Sequence, residues 1–322
     1  MKQIIVDENQ AGQRLDKLLM KILNKAPKSF IYKMLRKKNI VLNGRKAQGN
    51  EIVRPEDEIR MYISDETMGK FSAWNDIILD KYELDIVYED SNILIINKPA
   101  GMLSQKSTAN DISVVEHIIA YLISQDKITR EQLKTFKPSV CNRLDRNTSG
   151  LIISGKTLAG LQEMAKLLRE RKLDKYYLCI VKGRITEKKE ITGYLFKDKE
   201  TNKAAISQDQ DEDSDYIATR YEPLAYTDEY TLLQVKLITG KSHQIRAHLA
   251  SIGHPIVGDH KYGDKEVNSI FARKYRLKHQ LLHCFRYVFP HLEGPLSDLS
   301  GKEITAPEPE IFRRIRKDLF PE

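Results

Sequence analysis

The sequence has few of the features that mark secreted and membrane proteins. Its three cysteines, Cys141, Cys179 and Cys284, are far apart in a chain of 322 residues, and no CxxC pair occurs. Three thiols cannot all pair within one chain, so they argue against a disulfide framework and favour a reducing compartment. No apolar run approaches the about 20 residues that a membrane-spanning helix needs. We therefore expect a cytoplasmic protein without a membrane partner.

The start of the chain also lacks the pattern of a secretory signal peptide. Asp7 and Glu8 come before any apolar stretch of useful length, whereas a signal peptide has a basic start and then an apolar segment. With 41% hydrophobic and 30% charged residues, the chain can instead fold around a sizeable core.

Positive charge is concentrated near the start of the chain. Of the net charge of +8, residues 1–62 carry +7, from 14 Lys and Arg against 7 Asp and Glu, and the other 260 residues carry +1. Between Arg14 and Lys46 there are 11 basic residues and one acid, Asp16. Such a local excess fits attraction to a polyanion, although a solvated lysine-rich face gives the same pattern. Charge alone leaves both readings open.

The first 62 residues have the pattern of two short helices followed by a β-ribbon. Apolar residues at i, i+3, i+4, i+7 and i+8 within 13–24 predict one helix. A second helix is predicted over SFIYKMLRKK, with Ser29 as its N-cap. NIVLNGRK and PEDEIRMYI then predict strands, with a turn at Asn43 and Gly44. The basic residues of both helices fall outside the apolar stripes, and they are Arg14, Lys17, Lys21, Lys33, Arg36 and Lys37.

This segment resembles the small RNA-binding domain first described in ribosomal protein S-four. The resemblance rests on GQRLDKLLMKILNKAPKSFIYKMLRKKNIVLNGRK and the later PEDEI, and it covers roughly residues 12–62. It implies that the basic helix faces contact structured RNA. Such phosphate contacts would supply affinity and positioning and would not read base identity.

Beyond residue 83, short strands alternate with isolated helices. The stretch 65–82 loses periodicity and is predicted to be a linker. Two strands are predicted around a turn within 85–102, and further strands over 176–181 and 231–238. Helices are predicted to begin after Ser113, Thr157 and Ser242. Hairpins and isolated helices together favour an α+β domain over a regular βαβ series.

One carboxylate stands among fixed positive charges in CNRLDRNTSGLII (141–153). Asp145 lies between Arg143 and Arg146 and precedes a small polar turn and an apolar run. Acids in such places are more often paired with an arginine, or used to cap a turn, than nucleophilic. The spacing alone therefore favours a structural role for Asp145.

The whole string changes that reading, because RLD-x-x-TSGL resembles the signature of the RluA-type pseudouridine synthases. Further stretches resemble other motifs of this family and follow in its order, namely ILIINKPAGM (93–102), KYYLCIVKG (175–183), GKSHQIRAHLASIGHPIVGDHKYG (240–263) and QLLHCFRYVF (280–289). With its N-terminal segment, the chain is most similar to the RluC branch, which modifies uridines of large-subunit ribosomal RNA. Asn142 stands where the family usually has histidine, and Cys284 where it has alanine.

The resemblance implies an enzyme that detaches uracil from its ribose, turns the base and rejoins it through a carbon. Asp145 would be the nucleophile, because a carboxylate can bond to the positively charged sugar or stabilise it. Arg246, the arginine of HQIR, would keep Asp145 ionised. Tyr177 would hold the flat base by stacking. Arg143 would fill the gap that the flipped base leaves.

Each of these residues also has an ordinary structural reading. Arg246 fits a surface charge beside an apolar helix stripe, Tyr177 fits a core strand, and Arg143 fits a salt bridge to Asp145. Without the family resemblance, we would favour the structural reading for Arg246.

No metal site is expected from the histidines or the acids. His243 and His248 are five residues apart, so on a helix their side chains would not converge on one ion. The acidic run 209–215 lacks the glycine of a calcium loop and is predicted to be a solvated hairpin tip.

The sequence thus predicts an RNA-binding domain of S-four type over 1–64, a linker over 65–82 and a catalytic domain over 83–322. The first is a small α/β unit, and the last is an α+β domain on a large mixed, mainly antiparallel sheet. We expect a monomeric enzyme that converts specific uridines of large-subunit ribosomal RNA to pseudouridine, with no cofactor and no metal. One alternative is a non-catalytic RNA-binding or ribosome-assembly protein. Another is a glycoside hydrolase, which usually needs a second carboxylate.

Overall fold

The computed structural model describes residues 1–72, 79–197, 204–210 and 214–321. The helices are α1 (Leu15–Ile22), α2 (Lys28–Arg36), α3 (Asp65–Phe71), α4 (Val114–Ser124), α5 (Leu158–Arg169), α6 (Gln244–Ser251), α7 (Lys265–Tyr275) and α8 (Glu310–Leu319). The strands are β1 (Lys2–Ile5), β2 (Ile40–Leu42), β3 (Arg45–Lys46), β4 (Glu58–Met61), β5 (Ile86–Glu89), β6 (Ile93–Lys98), β7 (Ser139–Val140), β8 (Ser149–Gly155), β9 (Asp174–Lys182), β10 (Lys189–Lys197), β11 (Ala204–Ser207), β12 (Asp215–Tyr226), β13 (Tyr230–Leu237), β14 (Leu282–Val288) and β15 (Glu303–Thr305).

The chain divides into two compact units that are not contiguous in sequence. The first comprises Met1–Glu83, Val115–Ser139 and Gly155–Leu161, and the second comprises the remaining segments from Leu84 onward. A buried hydrogen bond from Gln10 Nε2 to Thr135 Oγ1, 2.9 Å, helps to hold the first unit together. The domain limits at 64, 82 and 83 stay predictions.

The first unit contains a four-stranded antiparallel sheet in the order β1-β4-β2-β3. Helices α1 and α2 bury the apolar stripes that the sequence predicts, and the fully buried side chains include Leu15, Leu18, Leu19, Ile31, Ile40 and Ile59. Burial of these stripes leaves the polar faces of both helices toward solvent.

Two predicted helix starts are wrong, and one helix lies where a linker was predicted. Helix α2 begins at Lys28 after the extended Pro27, so Ser29 lies inside the first turn and does not cap it. Helix α6 begins at Gln244, so Ser242 is not its cap either. Helix α3 lies in the stretch predicted as a linker and is capped by Ser64, whose Oγ accepts from the Thr67 amide. Residues 73–78 of that stretch are outside the described residues.

The second unit is built on a mixed sheet with the order β11-β10-β12-β13-β9-β14-β8-β6-β5, with β15 and β7 beside β14 and β8. Strand β9 lies at its centre, antiparallel to both β13 and β14. The pairing of β14 with β8 is parallel. The predicted α+β class with a large mixed, mainly antiparallel sheet is therefore confirmed.

Strands β8 and β14 approach each other unusually closely at Gly150. A Cβ atom built there would lie 2.2 Å from the carbonyl oxygen of Cys284, and the backbone has φ +112°. Only glycine accepts both the contact and the conformation. The close approach fixes the position where the chain leaves the loop that carries Asp145 and enters the sheet.

Three other predicted features have simple structural outcomes. Cys141, Cys179 and Cys284 are free thiols, the last two buried. In the described ranges, no helix is both long and apolar enough to cross a bilayer. Of the acidic run 209–215, residues 211–213 lie outside the described residues.

Candidate active site

A cleft of about 730 Å³ in the second unit gathers the four predicted catalytic and substrate-binding residues. Asp145, Arg143, Tyr177 and Arg246 all line it. Among the described lining residues Asp145 is the single acid, whereas the bases are Lys106, Arg143, Arg146, Arg169, Arg171, Lys175, Lys241 and Arg246. A concave surface with this charge balance attracts a polyanion and exposes it to one carboxylate.

The loop between β7 and β8 holds Asp145 in a turn with fixed backbone. The amide of Thr148 donates to the carbonyl of Asp145 at 3.0 Å, and Gln280 Nε2 donates to the Thr148 hydroxyl at 3.1 Å. Ser104 Oγ donates to the carbonyl of Leu144 at 2.7 Å. The turn that the TSG residues predict thus positions the carboxylate of Asp145.

Lys98 holds the same loop through hydrogen bonds to backbone carbonyls, and the sequence did not identify it as a site residue. Its fully buried ammonium donates to the carbonyls of Pro99, Met102 and Arg146 at 2.8, 2.9 and 3.0 Å. Burial lowers the pKa of Lys98 to about 7, and the charge of Asp145 opposes that shift. Three carbonyl acceptors satisfy the three N–H groups of the ammonium, so the loop is tied to the end of β6.

Arg246 joins two carboxylates. Its Nη1 lies 2.7 Å from Asp145 Oδ2, while its Nε and Nη2 lie 2.7 and 2.9 Å from the two oxygens of Asp259. Burial alone would lower the pKa of Arg246, but hydrogen bonds and charge from Asp259 and Asp145 raise it. The guanidinium is therefore permanently charged and held on two sides.

Asp259 is a component of the site that sequence reasoning missed. Its side chain is completely buried, and its Oδ1 also accepts the amides of Lys261 and Tyr262 at 2.8 and 3.1 Å. Burial acts to raise its pKa, but the hydrogen bonds and charge of Arg246 and the two amides lower it. Asp259 thus sets the orientation of Arg246, and a signal for it exists only in the GDHKYG part of the second motif.

The second oxygen of Asp145 faces open space. The Asp145 side chain is 25% exposed, whereas that of Arg246 is 9% exposed. The nearest cationic candidate on the Oδ1 side is His243, whose Nε2 is 4.0 Å away. This distance is too long for a hydrogen bond. One oxygen is anchored and the other is accessible from the cleft.

Of the other two predicted site residues, Tyr177 is buried in the wall of the cleft and Arg143 is exposed. Tyr177 lies on β9 with its side chain buried, and burial, together with the neighbouring Cys284, raises the pKa of its phenol well above the usual value. Arg143 is exposed. In the part of the chain that the structure describes, it forms no ion pair with Asp145, which pairs with Arg246 instead.

Two departures from the family pattern, Asn142 and Cys284, occupy structural positions. Asn142 donates from Nδ2 to the hydroxyl of Tyr287 at 2.9 Å, and its Oδ1 accepts the amide of Ile153 at 2.9 Å. Cys284 is fully buried beside Tyr177, and burial raises the pKa of its thiol to about 11. Neither residue carries charge into the cleft.

The basic face predicted in the first unit is largely free of acids. Lys17, Lys33, Arg36 and Lys37 are exposed. Lys21 is half-buried, and burial, with the nearby Lys17, lowers its pKa. These side chains can meet phosphates without first losing an acidic partner.

Arg14 differs from the other predicted RNA contacts because it is already paired. Its Nε and Nη2 donate to the two oxygens of the buried Asp16, both at 3.0 Å, and Tyr32 donates to the same carboxylate at 2.7 Å. The hydrogen bond from Arg14, which outweighs the effect of burial, lowers the pKa of Asp16 to about 2. Arg14 therefore has a structural role in addition to any contact with RNA.

Over the described residues, no three His, Cys, Asp or Glu side chains are grouped so that they could hold a metal ion. His243 and His248 point to different partners, since the first contacts Tyr262 and the second contacts Thr219.

Comparisons with known proteins identify the family of this chain. The family model described as RNA pseudouridylate synthase matches residues 92–251, and the S4 domain model matches residues 13–59. A protein of Mycoplasma genitalium named as an uncharacterized RNA pseudouridine synthase is 30% identical over 294 residues, which is 90% of each chain. Ribosomal large subunit pseudouridine synthase C of Vibrio cholerae is 30% identical over 293 residues, 89% of this chain and 88% of that protein.

A solved structure shows the same fold. Human RNA pseudouridylate synthase domain containing 4 superposes with a TM-score of 0.58 at 20% identity, over 73% of this chain and 92% of that one. The predicted fold type, family and enzyme class are therefore confirmed. The chain belongs to the RNA pseudouridine synthase family of enzymes and carries an S4 domain near its N-terminus.

Proposed function

We propose that the chain converts specific uridines of large-subunit ribosomal RNA to pseudouridine, with Asp145 as the nucleophile. The observation that carries this proposal is a basic cleft whose described lining residues include one acid, Asp145, which is anchored through one oxygen by Arg246 and partly exposed. The choice of RNA is supported by relatives such as the Vibrio cholerae protein, whose name specifies the large ribosomal subunit.

The chemistry requires a lasting negative charge beside the sugar. When the bond between ribose C1′ and uracil N1 breaks, its electron pair leaves with the base and positive charge develops on the sugar. The open Oδ1 of Asp145 can stabilise this charge or bond to it, while Arg246 keeps the carboxylate ionised. The base then turns and its C5 bonds to C1′, which releases any bond that Asp145 has formed there. The proton on C5 leaves to solvent and N1 takes up a proton, while the walls of the cleft limit diffusion of the detached base.

Base flipping would bring the uridine into the cleft beside Asp145 and Tyr177. The buried position of Tyr177 on the cleft wall suits a flat surface on which uracil can turn. Arg143, exposed on the rim and unpaired with Asp145, suits a side chain that fills the vacated stack. The raised pKa of Tyr177 keeps its hydroxyl protonated before reaction begins.

Two other functions are less well supported by the site. A glycoside hydrolase usually needs a second carboxylate at the cleft, and the neighbouring acid Asp259 is fully buried against Arg246. A non-catalytic RNA-binding protein would have no use for an open, arginine-supported carboxylate. We further propose that the enzyme acts in the cytoplasm as a monomer and without a cofactor, with an RNA-binding domain over 1–64, a linker over 65–82 and a catalytic domain over 83–322.

The direct test maps pseudouridines in ribosomal RNA. Unmodified large-subunit RNA is incubated with the purified full chain, labelled with carbodiimide and read by primer extension. We expect new stops at a few discrete uridines, with none after incubation with heat-denatured protein. Tight RNA binding without any new stop would favour the non-catalytic alternative.

Replacing Tyr177 should slow the reaction while leaving RNA binding intact. Tyr177→Leu removes a stacking surface worth about 1–3 kcal/mol per base, so we expect the single-turnover rate to fall about 10–100-fold. Because the ring is 6% exposed, the RNA dissociation constant should change little. Tyr177→Phe keeps the ring, so any loss of rate in this variant measures the contribution of the hydroxyl. A normal rate for Tyr177→Leu would remove this residue from the proposed site.

Neutralising the basic helix face should reduce the salt dependence of binding. Each lost phosphate contact lowers the slope of log K against log salt by about 0.7–0.9, so Gln at Lys17, Lys33 and Arg36 should lower it by about 2. An equal-charge control carries Gln at Lys188, Lys265 and Lys317, which are exposed in the second unit. Filter binding over a salt series measures both, and equal slopes for the two triple variants would contradict the assignment.

A further inference from the structure

His243 occupies a strained backbone position at the edge of the cleft. It precedes α6 with φ 59° and ψ 12°, in the left-handed region. A residue other than glycine held there costs stability and persists only when its surroundings enforce it. Gln244 provides that enforcement, since its side chain bonds to Thr239, to the amide of Lys241 and to the carbonyl of Ala218. In this conformation His243 is one of the residues that line the cleft.

His243 Nδ1 has a hydrogen-bond partner in the hydroxyl of Tyr262. The hydroxyl of Tyr262 accepts the amide of Ala204 at 2.8 Å and lies 2.9 Å from His243 Nδ1. Burial raises the pKa of Tyr262, so its hydroxyl keeps the proton that it can donate to Nδ1. Burial also lowers the pKa of His243, against the pull of Asp145. In the neutral tautomer that accepts this hydrogen bond at Nδ1, the ring carries its N–H at Nε2.

This N–H points to the place where the reacting nucleoside must lie. Nε2 is 4.0 Å from the open Oδ1 of Asp145, and the His243 side chain is 27% exposed. The gap is too wide for a direct bond and leaves room for a nucleoside whose base meets Nε2 while its sugar faces Oδ1. Arg246 binds the other oxygen of Asp145, so it does not compete for this position.

We propose that His243 donates a hydrogen bond from Nε2 to a carbonyl oxygen of the detached uracil and stabilises it as an anion. This inference rests on the proposed function. As the C1′–N1 bond breaks, the electron pair moves to N1 and spreads over the two carbonyl oxygens, while Asp145 faces the sugar. His243 stays neutral and transfers no proton. A preorganised donor directed at developing negative charge is the kind of group that accelerates such a step.

Two substitutions test the donor. His243→Ala should lower the single-turnover rate of pseudouridine formation about 10²–10³-fold with little change in RNA affinity, as removal of one such donor does elsewhere. His243→Gln places an amide N–H in a similar position and should recover at least about tenfold of that loss. His291→Ala, at a histidine whose side chain is 84% exposed, is the matched control and should react normally. A rate for His243→Gln no better than for His243→Ala overturns the proposal.

A change of leaving group separates stabilisation of the base from a purely structural role. Fluorine stabilises the uracil anion, so 5-fluorouridine RNA should depend less on His243. We expect the deficit of His243→Ala to shrink at least about threefold when consumption of 5-fluorouridine is followed in single turnover, since stabilisation matters less for a better leaving group. An equal deficit with uridine and 5-fluorouridine overturns the proposal.

The same assay with Asp145→Asn keeps this inference distinct from the proposed function. If Asp145→Asn still forms pseudouridine, the proposed function fails. If Asp145→Asn is inactive and His243→Ala reacts at the normal rate, only the role of His243 fails. Thermal unfolding of each variant identifies any loss that comes from misfolding.

Discussion

Asp145→Asn is expected to abolish pseudouridine formation and to leave RNA binding almost unchanged. The amide keeps the size of the side chain but cannot bond to the sugar or neutralise its charge, so the single-turnover rate should fall by at least about 10³-fold. The cleft loses its single acid among the described lining residues, which should slightly favour RNA binding by removing a repulsive charge. Rates on ribosomal RNA and dissociation constants from filter binding provide the two readouts.

A second acid serves as the control for this experiment. Asp111 is in the same unit, and its pKa is lowered by hydrogen bonds from the amides of Thr108 and Ser107. Asp111 does not itself line the cleft, and in Asp111→Asn the amide oxygen can still accept the backbone amide of Ser107, which does line it. This variant removes one negative charge and should react at close to the normal rate. If Asp145→Asn retained more than about a tenth of the activity, a nucleophilic carboxylate could not be essential to the reaction.

Much of the fold is readable from local sequence patterns. The apolar stripe of α1 can be read from consecutive residues, and the structure buries it as predicted. In β13 the predicted alternation holds from Leu233 to Lys236, whereas Thr231, Leu232 and Leu233 are all buried. Helix starts failed where a more distant partner decided the outcome. Ser29 and Ser242 have the right chemistry for caps, but Pro27 sets the start of α2 and the side chain of Gln244 fixes the loop before α6. Propensity describes an isolated segment, whereas these starts depend on neighbours.

The site was less readable from local patterns. Asp145 and Arg246 are 101 positions apart and form a 2.7 Å hydrogen bond. From the sequence, only the family resemblance predicts that they are close. Lys98 and Asp259 were included in quoted motifs, yet nothing in their spacing revealed that one ties the Asp145 loop and the other orients Arg246. Groups that act through a second residue leave little trace in a single sequence.

The other large effect is expected at Arg246, which we expect to contribute to both stability and catalysis. Arg246→Met removes the only ion-pair partner that the structure gives to the fully buried Asp259 within the described residues. Breaking one side of a buried pair costs about 3–5 kcal/mol, because the remaining charge is left without compensation. The same substitution frees Asp145 Oδ2. We therefore expect lower stability in urea titrations and loss of activity together.

A double variant separates these two losses. Arg246→Met with Asp259→Asn removes both charges, and the asparagine oxygen can still accept the amides of Lys261 and Tyr262. Because no buried charge remains, much of the stability should return, to within about 1–2 kcal/mol of the wild type. Activity should not return, since Asp145 still lacks its guanidinium. Recovery of activity with stability would show that Arg246 acts only as a scaffold.

Acid titration gives an independent check on the same pair. In the wild type the folded pKa of Asp259 is lowered, so its stabilising contribution is complete above the unfolded value of about 4 and is lost as pH falls through the folded pKa. In Arg246→Met, burial without a partner should raise the folded pKa above that of the unfolded chain, so stability should increase as pH falls through that range. The stability deficit of the variant should therefore shrink between pH values of about 6 and 4. A constant deficit over this range would mean that Asp259 is not the group left uncompensated.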